Sequence, residues 1–484
     1  MLTPLIRRPR RNAEPRSVEL RSKERGFTMA LVAVSMLAII AMAALSIDIG
    51  TLYEAKAEAQ RAADAAALTG ARVISISGIT GDPGNAANSW PPVCGGASGL
   101  ATMAAINVAQ QNLIGGVSVP TASVTVTYGA GTAGGSSSTC VSVTNFGVNP
   151  IVTVKVQRTN LPTFFARVFS LVGGGSSAAS VSATASAEVF NPSASGAVAS
   201  SGSMIPVNPR CVKPWILANV DPAHPSAGFV SATDGSISTL SQGVWEVNGG
   251  AIGESFLIGA DCTAGAATCT LLSPTPGWNA PPPPQTGFIL QYVPALVSVT
   301  SPGAVSSCAT GALSSDSNYQ PAIGGCDQST TYACGTASGA TVDLNENPVS
   351  PTGPGGDTAT AAACLIGAAP TYGGADILEP GTYPFEIQAE GGSPLFKARV
   401  VNSGDLVTTS NSIVTIPIYD NTAPLVPPQP KVTIVGFLQV FINRIDTYGN
   451  LNVTVMNVAG CGDAATNQPV AGTSPVPIRL ITPP

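Results

Sequence analysis

The sequence contains few charged residues and a single histidine. Charged residues make up 10% of its 484 residues, against about 25% in ordinary soluble domains. Glycine and proline number 52 and 41. With so few charged residues, serine, threonine, asparagine and backbone groups must form most of the hydrated surface. The length is sufficient for two or three domains with a sizeable core.

Sequence motifs that place catalytic groups are missing. No G-x-S-x-G elbow, P-loop or dinucleotide fingerprint occurs. His224 stands in Pro-Ala-His-Pro-Ser with no nucleophile motif near it, although a Ser-His-acid triad would require it. We therefore expect a protein that is not an enzyme, with no catalytic residue and no cofactor. An envelope hydrolase is the least supported function class.

Basic residues are concentrated at the N-terminus. Residues 1–25 contain eight Lys/Arg and three Glu, whereas the remaining chain contains 13 basic and 24 acidic residues. The chain after residue 25 is acidic overall, so it lacks the cluster of basic residues that binding to nucleic acid requires. We expect no binding to DNA or RNA.

The cysteines lack metal-site spacing, since no C-x-x-C pair occurs and histidine is nearly absent. All ten lie on the C-terminal side of a long apolar run, and an even number there predicts disulfides in an oxidising compartment. Inert buried thiols are the alternative. The ten residues are Cys94, Cys140, Cys211, Cys262, Cys269, Cys308, Cys326, Cys334, Cys364 and Cys461.

The apolar run extends without a charge from Phe27 to Ile47. As a helix its 21 residues would span about 31 Å, which matches the hydrocarbon core of a bilayer. The basic residues before it predict a cytoplasmic N-terminus and a periplasmic remainder. Two alternatives are a signal cleaved after Ala41-Met42-Ala43 and a prepilin-type junction at Gly26-Phe27.

The helix is predicted to continue beyond the membrane, because strong helix formers follow Asp48. Small residues recur there at spacings of three and four, which places a narrow seam along one face. Such a seam permits close packing against a sheet of the same chain or, alternatively, against a second copy. Its members are Leu52, Ala55, Ala59, Ala62, Ala66 and Thr69.

These residues resemble the N-terminal segment of the Tad (tight adherence) pilus-assembly proteins of the TadE/TadG-like family. The resemblance consists of Arg25-Gly26, the apolar helix, IDIGTLY with Asp48 at the helix exit, and AQRAADAAALTGA with Asp64. It implies an envelope protein that assists assembly of Flp-type pili, with the inner membrane, the assembly machinery and pilus subunits as partners. Asp48 either marks the membrane boundary or contacts a partner.

A looser resemblance to the same family covers a strand, a short helix and a strand. Alternation predicts strands over Ile151–Arg158 and Ser180–Val189, with a helix over Pro162–Leu171 that turns Phe164, Phe165, Val168 and Phe169 inward. A long helix on a small sheet is also pilin-like. However, Leu31 occupies the fifth position after Gly26, where prepilins have glutamate, so we expect a retained anchor and not a major filament subunit.

The remaining chain predicts a flexible linker over 191–204 followed by a β-rich region over 205–484. Short runs rich in β-formers alternate with Gly/Pro/Ser turns, and Ser273–Gln285 should be extended. The predicted strands are GVWEVNG, SFLIGA, TGFILQYV, SIVTIPIYD, KVTIVGFLQVFINRI and NLNVTVMNV.

One metal-ligating pattern occurs in the β-rich region. Asp234, Ser236 and Ser238 form D-x-S-x-S, the beginning of a metal-ion-dependent adhesion site. The weak strand before it and the missing helix after it favour an ordinary turn, so we expect no metal there.

We therefore predict an α+β fold in which a single N-terminal transmembrane helix continues into a long helix on a small sheet, followed by a β-rich region. The predicted segments are a cytoplasmic tail (1–25), the Tad helix (26–72), a pilin-like region (73–190), the linker (191–204) and the disulfide-braced region (205–484). The predicted function is non-enzymatic assembly or anchoring of a Flp/Tad pilus. The alternative is a surface adhesin or ligand-binding envelope protein.

Overall fold

The structure is a computed structural model. It describes residues 20–84, 87, 89–131, 133–161, 163, 179–193, 207–262, 273–281, 285–297, 313, 318–330, 332, 342–343, 355–368, 374–379, 381–425, 431–461, 470–472 and 474–482. The predicted helix over 162–171 therefore lies outside the described residues, apart from Thr163.

The described helices and strands confirm the α+β class. The α-helices are α1 (Leu20–Ile76), α2 (Pro91–Cys94), α3 (Leu100–Gln111), α4 (Trp245–Asn248), α5 (Tyr319–Gly324), α6 (Asp357–Leu365) and α7 (Pro394–Lys397). The strands are β1 (Val124–Ala130), β2 (Ala133–Ser137), β3 (Pro150–Leu161), β4 (Ala179–Val189), β5 (Val207–Pro209), β6 (Trp215–Ala218), β7 (Ser255–Ala260), β8 (Trp278–Asn279), β9 (Ile289–Pro294), β10 (Val342–Asp343), β11 (Asp376–Leu378), β12 (Ile387–Ala389), β13 (Ile413–Tyr419), β14 (Lys431–Val432), β15 (Ile434–Ile445), β16 (Leu451–Gly460), β17 (Val470–Gly472) and β18 (Ile478–Ile481).

Helix α1 is unbroken over its 57 residues. Alanine is its most frequent residue, and alanine has the highest intrinsic helix propensity. The helix ends just before Gly78, whose φ of 77° is readily adopted only by glycine. The predicted continuation of the apolar helix beyond Asp48 is thus confirmed.

An α/β module surrounds the C-terminal half of α1. It contains α2, α3 and a five-stranded sheet with the order β18-β4-β3-β1-β2. Val152, Val154 and Val156 of β3 are fully buried while Lys155 is exposed, which is the alternation expected of a strand with one face on a core. Strands β3 and β4 confirm the strands predicted over Ile151–Arg158 and Ser180–Val189.

The fifth strand of this sheet comes from the C-terminal end of the described chain. Strand β18 pairs antiparallel with β4, with Ile478 opposite Val189 and Ile481 opposite Ser186. Arg479 Nε donates to Glu188 Oε2 at 2.7 Å across the pair. Strands within residues 124–189 and a strand at residues 478–481 therefore build one sheet, although the predicted segments assign β18 to the β-rich region.

The β-rich region is built on a seven-stranded sheet with the order β6-β13-β15-β16-β7-β9-β8. Strand β6 pairs with β9 as well as with β13, which closes the sheet into a barrel. Every residue of β16 except Asn452 is buried, so this strand is buried on both faces, in contrast to β3. The predictions for SFLIGA, TGFILQYV, SIVTIPIYD, KVTIVGFLQVFINRI and NLNVTVMNV are confirmed by strands there.

The strand predicted for GVWEVNG is wrong. Residues Trp245–Asn248 form the short helix α4, which ends at Gly249 with φ 74°. Gly243, before the helix, also has a positive φ, of 108°. Glycines in the left-handed region at both ends turn the chain and prevent an extended strand.

Candidate functional site: the long helix and the module that covers it

The N-terminal half of α1 exposes large apolar side chains. Phe27, Leu37 and Met42 are 71%, 67% and 66% exposed. In the described part of the chain α1 is the one helix long and apolar enough to cross a membrane. Contact of this surface with water would be unfavourable, so its exposure fits a single-pass membrane anchor.

The alanine seam on the C-terminal half of α1 packs within the chain. Ala59, Ala62 and Ala66 have no exposed surface, and Ala55 is 3% exposed. Strands β3 and β4 and helix α3 lie against α1 along this stretch. The intramolecular alternative is therefore the one found, and these alanines are not open to a second copy of the chain.

Gly70, next to the seam residue Thr69, allows a close approach of α1 to α3 and to the sheet. A Cβ placed on Gly70 would lie 3.1 Å from Val152 Cγ1 of β3 and 3.4 Å from Ala105 Cβ of α3. Glycine and alanine at such positions replace side-chain volume with backbone contact. Larger residues would separate the helix from the sheet.

Polar side chains of α1 also bind strand β4. Lys56 Nζ donates to Ser182 O, and Gln60 Nε2 donates to Thr184 O at 3.4 Å. Strand β18 pairs with Ser186–Val189 only. The helix thus satisfies carbonyl groups on the stretch of β4 that β18 does not reach.

Replacement of a seam alanine by leucine should destabilise the α/β module. Ala62→Leu is expected to cost about 1–3 kcal/mol of unfolding free energy, because the tight contact between α1 and the sheet has no room for the side chain. Ala57→Leu is the matched control, since Ala57 is exposed on the same helix and the change should stay within about 0.5 kcal/mol. Urea unfolding of the detergent-solubilised chain measures both, and equal midpoints would contradict the packing argument.

Two residues of the seam face remain buried beyond the covered half of α1. Asp48 is 3% exposed and Ala44 is 8% exposed, although their neighbours Leu45 and Ile47 are 47% and 52% exposed. Asp48 has a polar or electrostatic contact within the chain. Asp48 is therefore a buried residue that interacts with its own chain.

The end of α1 is fixed to the β-rich region by a buried polar network. Asn457 Nδ2 of β16 donates to Ser75 O at 2.7 Å and to Thr80 Oγ1 at 3.1 Å. Asn191 Nδ2 donates to Val458 O at 3.1 Å. Asn191 begins the predicted linker and is 1% exposed; residues 194–204 of that linker lie outside the described residues.

Comparison with known families assigns the covered and exposed parts of α1 to one segment. The model of the family described as putative Flp pilus-assembly TadE/G-like matches residues 26–73. Residues 26–73 are a Tad segment. The match begins at Gly26 before the exposed apolar half and ends at Val73 inside the covered half, so it contains both. No match was found among curated proteins or among solved structures.

Two disulfides are described outside the Tad segment, which confirms the prediction of disulfides. Cys94 pairs with Cys140 in the α/β module, and Cys211 pairs with Cys326 in the β-rich region. Cys262, Cys364 and Cys461 each form a disulfide bond as well.

The residues of the D-x-S-x-S pattern lie in a turn on the surface. Asp234 Oδ1 accepts from the Ser236 backbone N–H at 3.1 Å and from Ser236 Oγ at 2.8 Å. Hydrogen bonds from Ser231 and Ser236 hold the pKa of Asp234 below its usual range. The Ser238 backbone N–H donates to Phe229 O at 3.0 Å, as part of a strand-like bridge. The described residues contain no group of three metal-ligating acidic, His or Cys side chains.

His224 and Ser241 both contact the buried Asp221. Ser241 Oγ donates to Asp221 Oδ2 at 2.6 Å, and His224 Nδ1 lies 3.2 Å from the same oxygen. In a catalytic triad the serine would donate to the imidazole. The carboxylate stands between the two groups here, so the arrangement fixes a loop and does not activate the serine.

Glu254 is a buried carboxyl group that the sequence did not indicate. It is 6% exposed, and its Oε2 has no hydrogen-bond partner among the described residues. Burial raises the pKa of Glu254 to about 8, and the neighbouring Asp221 contributes to the rise. At neutral pH this side chain is therefore mostly a protonated acid.

A second buried ionisable group, Lys213, lies beside the Cys211–Cys326 bond. Its Nζ donates to Ile323 O at 2.6 Å and to Gly325 O at 2.7 Å. Burial lowers the pKa of Lys213 to about 7, although Asp327 opposes the shift. Carbonyl groups at the end of α5 thus compensate for part of the lost hydration.

Glu254 lines a cleft of about 770 Å³ in the β-rich region. Its walls include residues of strands β7, β11, β15 and β16. Asn443 Nδ2 donates to Thr454 Oγ1 at 2.8 Å along one wall. Aromatic and charged side chains complete the lining: Trp245, Tyr383, Phe385, Glu246, Glu379 and Arg444.

Proposed function

We propose that this chain is a non-enzymatic, single-pass protein of the inner membrane that assists assembly or anchoring of a Flp/Tad-type pilus, in the manner of TadG-like proteins. Its N-terminal tail, residues 1–25, is cytoplasmic. The α/β module, predicted as residues 73–190, and the β-rich region, predicted as 205–484, are periplasmic. Its partners are the pilus-assembly machinery and the pilus subunits.

The observation that carries this proposal is the division of the Tad segment into two unlike halves. The half from Phe27 to Ile47 exposes apolar surface that requires lipid. The half from Ala55 to Val73 is covered by the chain's own sheet and by α3. An assembly component with this division remains in the membrane while it presents a folded module to its partners.

The basic residues before Phe27 support the proposed orientation. Eight Lys/Arg precede the apolar run, and only Lys56 and Arg61 follow within twenty residues. Such a bias retains the basic side in the cytoplasm. The disulfide between Cys94 and Cys140 agrees with an oxidising compartment on the other side.

A gene deletion with complementation tests the proposed role. We expect the deletion strain to lose surface pili in electron micrographs and the full chain to restore them. A chain that carries a cleavable signal peptide in place of residues 1–47 should not restore pili, because the module is then released into the periplasm. The retained anchor is checked by N-terminal sequencing, in which a start at Phe27 or Ala44 would indicate processing.

The matched control replaces Phe27–Ile47 with an unrelated apolar helix of the same length. It should restore pili if the run is an anchor alone, and fail if its sequence contacts partners. Normal piliation in the deletion strain would contradict the proposed function.

The cleft beside Glu254 favours the second candidate, a surface adhesin or ligand-binding envelope protein. Its volume and its mixture of aromatic and polar walls are typical of small-ligand sites. Under this alternative, Trp245→Ala with Asn443→Ala should reduce attachment of cells to a surface while the number of pili remains normal. Loss of pili in that variant would instead support the assembly role.

A further inference from the structure

The turn that follows α3 lies at the end of the α/β module nearest the apolar half of α1. Near the start of α3, Ala101 O lies 3.4 Å from a Cβ placed on Gly70. Beyond its end, the Gly115 backbone N–H donates to Glu58 Oε2 at 2.6 Å. Residue numbers therefore rise along α3 as they fall along α1. The two helices are antiparallel, and α3 points toward the membrane.

This turn exposes two large apolar side chains. Leu113 is 54% exposed and Val117 is 48% exposed. Ile114 and Val117 form an antiparallel bridge around Gly115 and Gly116, which have φ values of 60° and 75°. The tight turn fixes the two side chains on the outside of the module, where they cannot fold back onto its core.

The distance along α1 places the turn close to the lipid. Glu58 is eleven residues beyond Ile47, the end of the apolar run, or about 16 Å along a helix axis. Helical side chains point toward the N-terminus, which brings the Glu58 carboxylate and the bound Gly115 closer to the bilayer. The headgroup region extends about 5–8 Å beyond the hydrocarbon core on each side, within reach of side chains from the turn.

We propose that the membrane end of the α/β module, defined by Tyr53, Leu113 and Val117, is inserted into the headgroup region of the bilayer. Tyr53 of α1 is 73% exposed at the same end, and tyrosine is enriched where protein meets headgroups. Lipid covers the apolar side chains that water would otherwise contact. The module is thus held on the membrane surface by the turn as well as by α1. This inference rests on the membrane anchor of the proposed function.

Spin labels on single cysteines test the inference in the full chain reconstituted into phospholipid vesicles. Labels at Leu113→Cys and Val117→Cys should collide with oxygen more often than with a water-soluble nickel chelate. Met103→Cys is the matched control, because Met103 is a 42% exposed apolar residue on α3, about 15 Å farther from the membrane. The chelate should reach the label at 103 at least several-fold more than the labels at 113 and 117.

A label at Leu37→Cys separates failure of this inference from failure of the anchor. If the chelate is excluded from 37 but reaches 113 and 117 as freely as 103, the module stands clear of the membrane and the inference is wrong. If the chelate reaches 37, the anchor is wrong and the inference fails with it. Exclusion from 37 together with reduced access at 113 and 117 supports the insertion.

Discussion

Replacing Cys94 and Cys140 together by alanine is expected to lower the unfolding free energy of the α/β module by about 2–4 kcal/mol. The bond joins residues 46 positions apart, so its loss frees a long loop in the unfolded chain. Both cysteines are fully buried beside Trp90 and Phe146, whose rings are 5.6 Å apart. The packing around the bond should loosen with it.

The fluorescence of Trp90 and limited proteolysis locate the effect. Urea unfolding of the detergent-solubilised variant should show an earlier transition, with new cleavage between residues 90 and 150. The double alanine variant of Cys211 and Cys326 is the control, since its new cleavage sites should fall in the β-rich region. Identical cleavage patterns for the two variants would show that the disulfides do not act locally.

The parts of the fold that follow from local pattern were predictable from the sequence. Helix α1 is encoded by its composition, and strands β3 and β4 are encoded by alternation. Strand β1 has the same signal, with Val124, Val126 and Tyr128 inward, and alternation could have identified it. Helices α3 and α6 are rich in alanine and small residues, which gives weak apolar periodicity.

Features that depend on distant pairing were not predictable in the same way. Strand β18 is four residues long and pairs with β4 almost 300 residues earlier in the chain, and no local signal specifies that partner. The seam on α1 indicated close packing but left open whether its partner was a sheet or a second copy. Burial of Ala59 and Ala62 by β3, β4 and α3 decides this question.

The buried carboxyl group of Glu254 was also hidden in the sequence, because its environment is assembled from separate segments. One part of this environment precedes Glu254 in the chain and consists of Asp221, with its contacts His224 and Ser241. Another part comes from β16, whose residues Asn452 and Thr454 line the same cleft as Glu254. Glu254 itself stands in an unremarkable Gly-Glu-Ser sequence. A pair of acidic residues that adjoin in the fold but lie 33 positions apart has no recognisable motif.

Glu254 should make the stability of the β-rich region fall as pH rises. Its pKa is raised from 4.5 to about 8 in the folded chain. Below pH 4.5 the Glu254 carboxyl group is protonated in both the folded and the unfolded chain, so it does not change the unfolding free energy. Between these values the unfolded chain loses the proton while the folded chain retains it, so the unfolding free energy declines by about 1.4 kcal/mol per pH unit. Above pH 8 the full loss persists.

Glu254→Gln should abolish this decline, because glutamine imitates the protonated acid at every pH. We expect the variant to match wild type near pH 4.5 and to be more stable by about 4–5 kcal/mol near pH 8, measured by urea unfolding followed through the buried Trp215. Glu246→Gln is the control, since Glu246 lines the same cleft but is exposed, and it should leave the pH profile unchanged. A constant difference between Glu254→Gln and wild type from pH 4.5 to pH 8 would mean that Glu254 ionises freely in the folded chain, and that the cleft is open to water at that position.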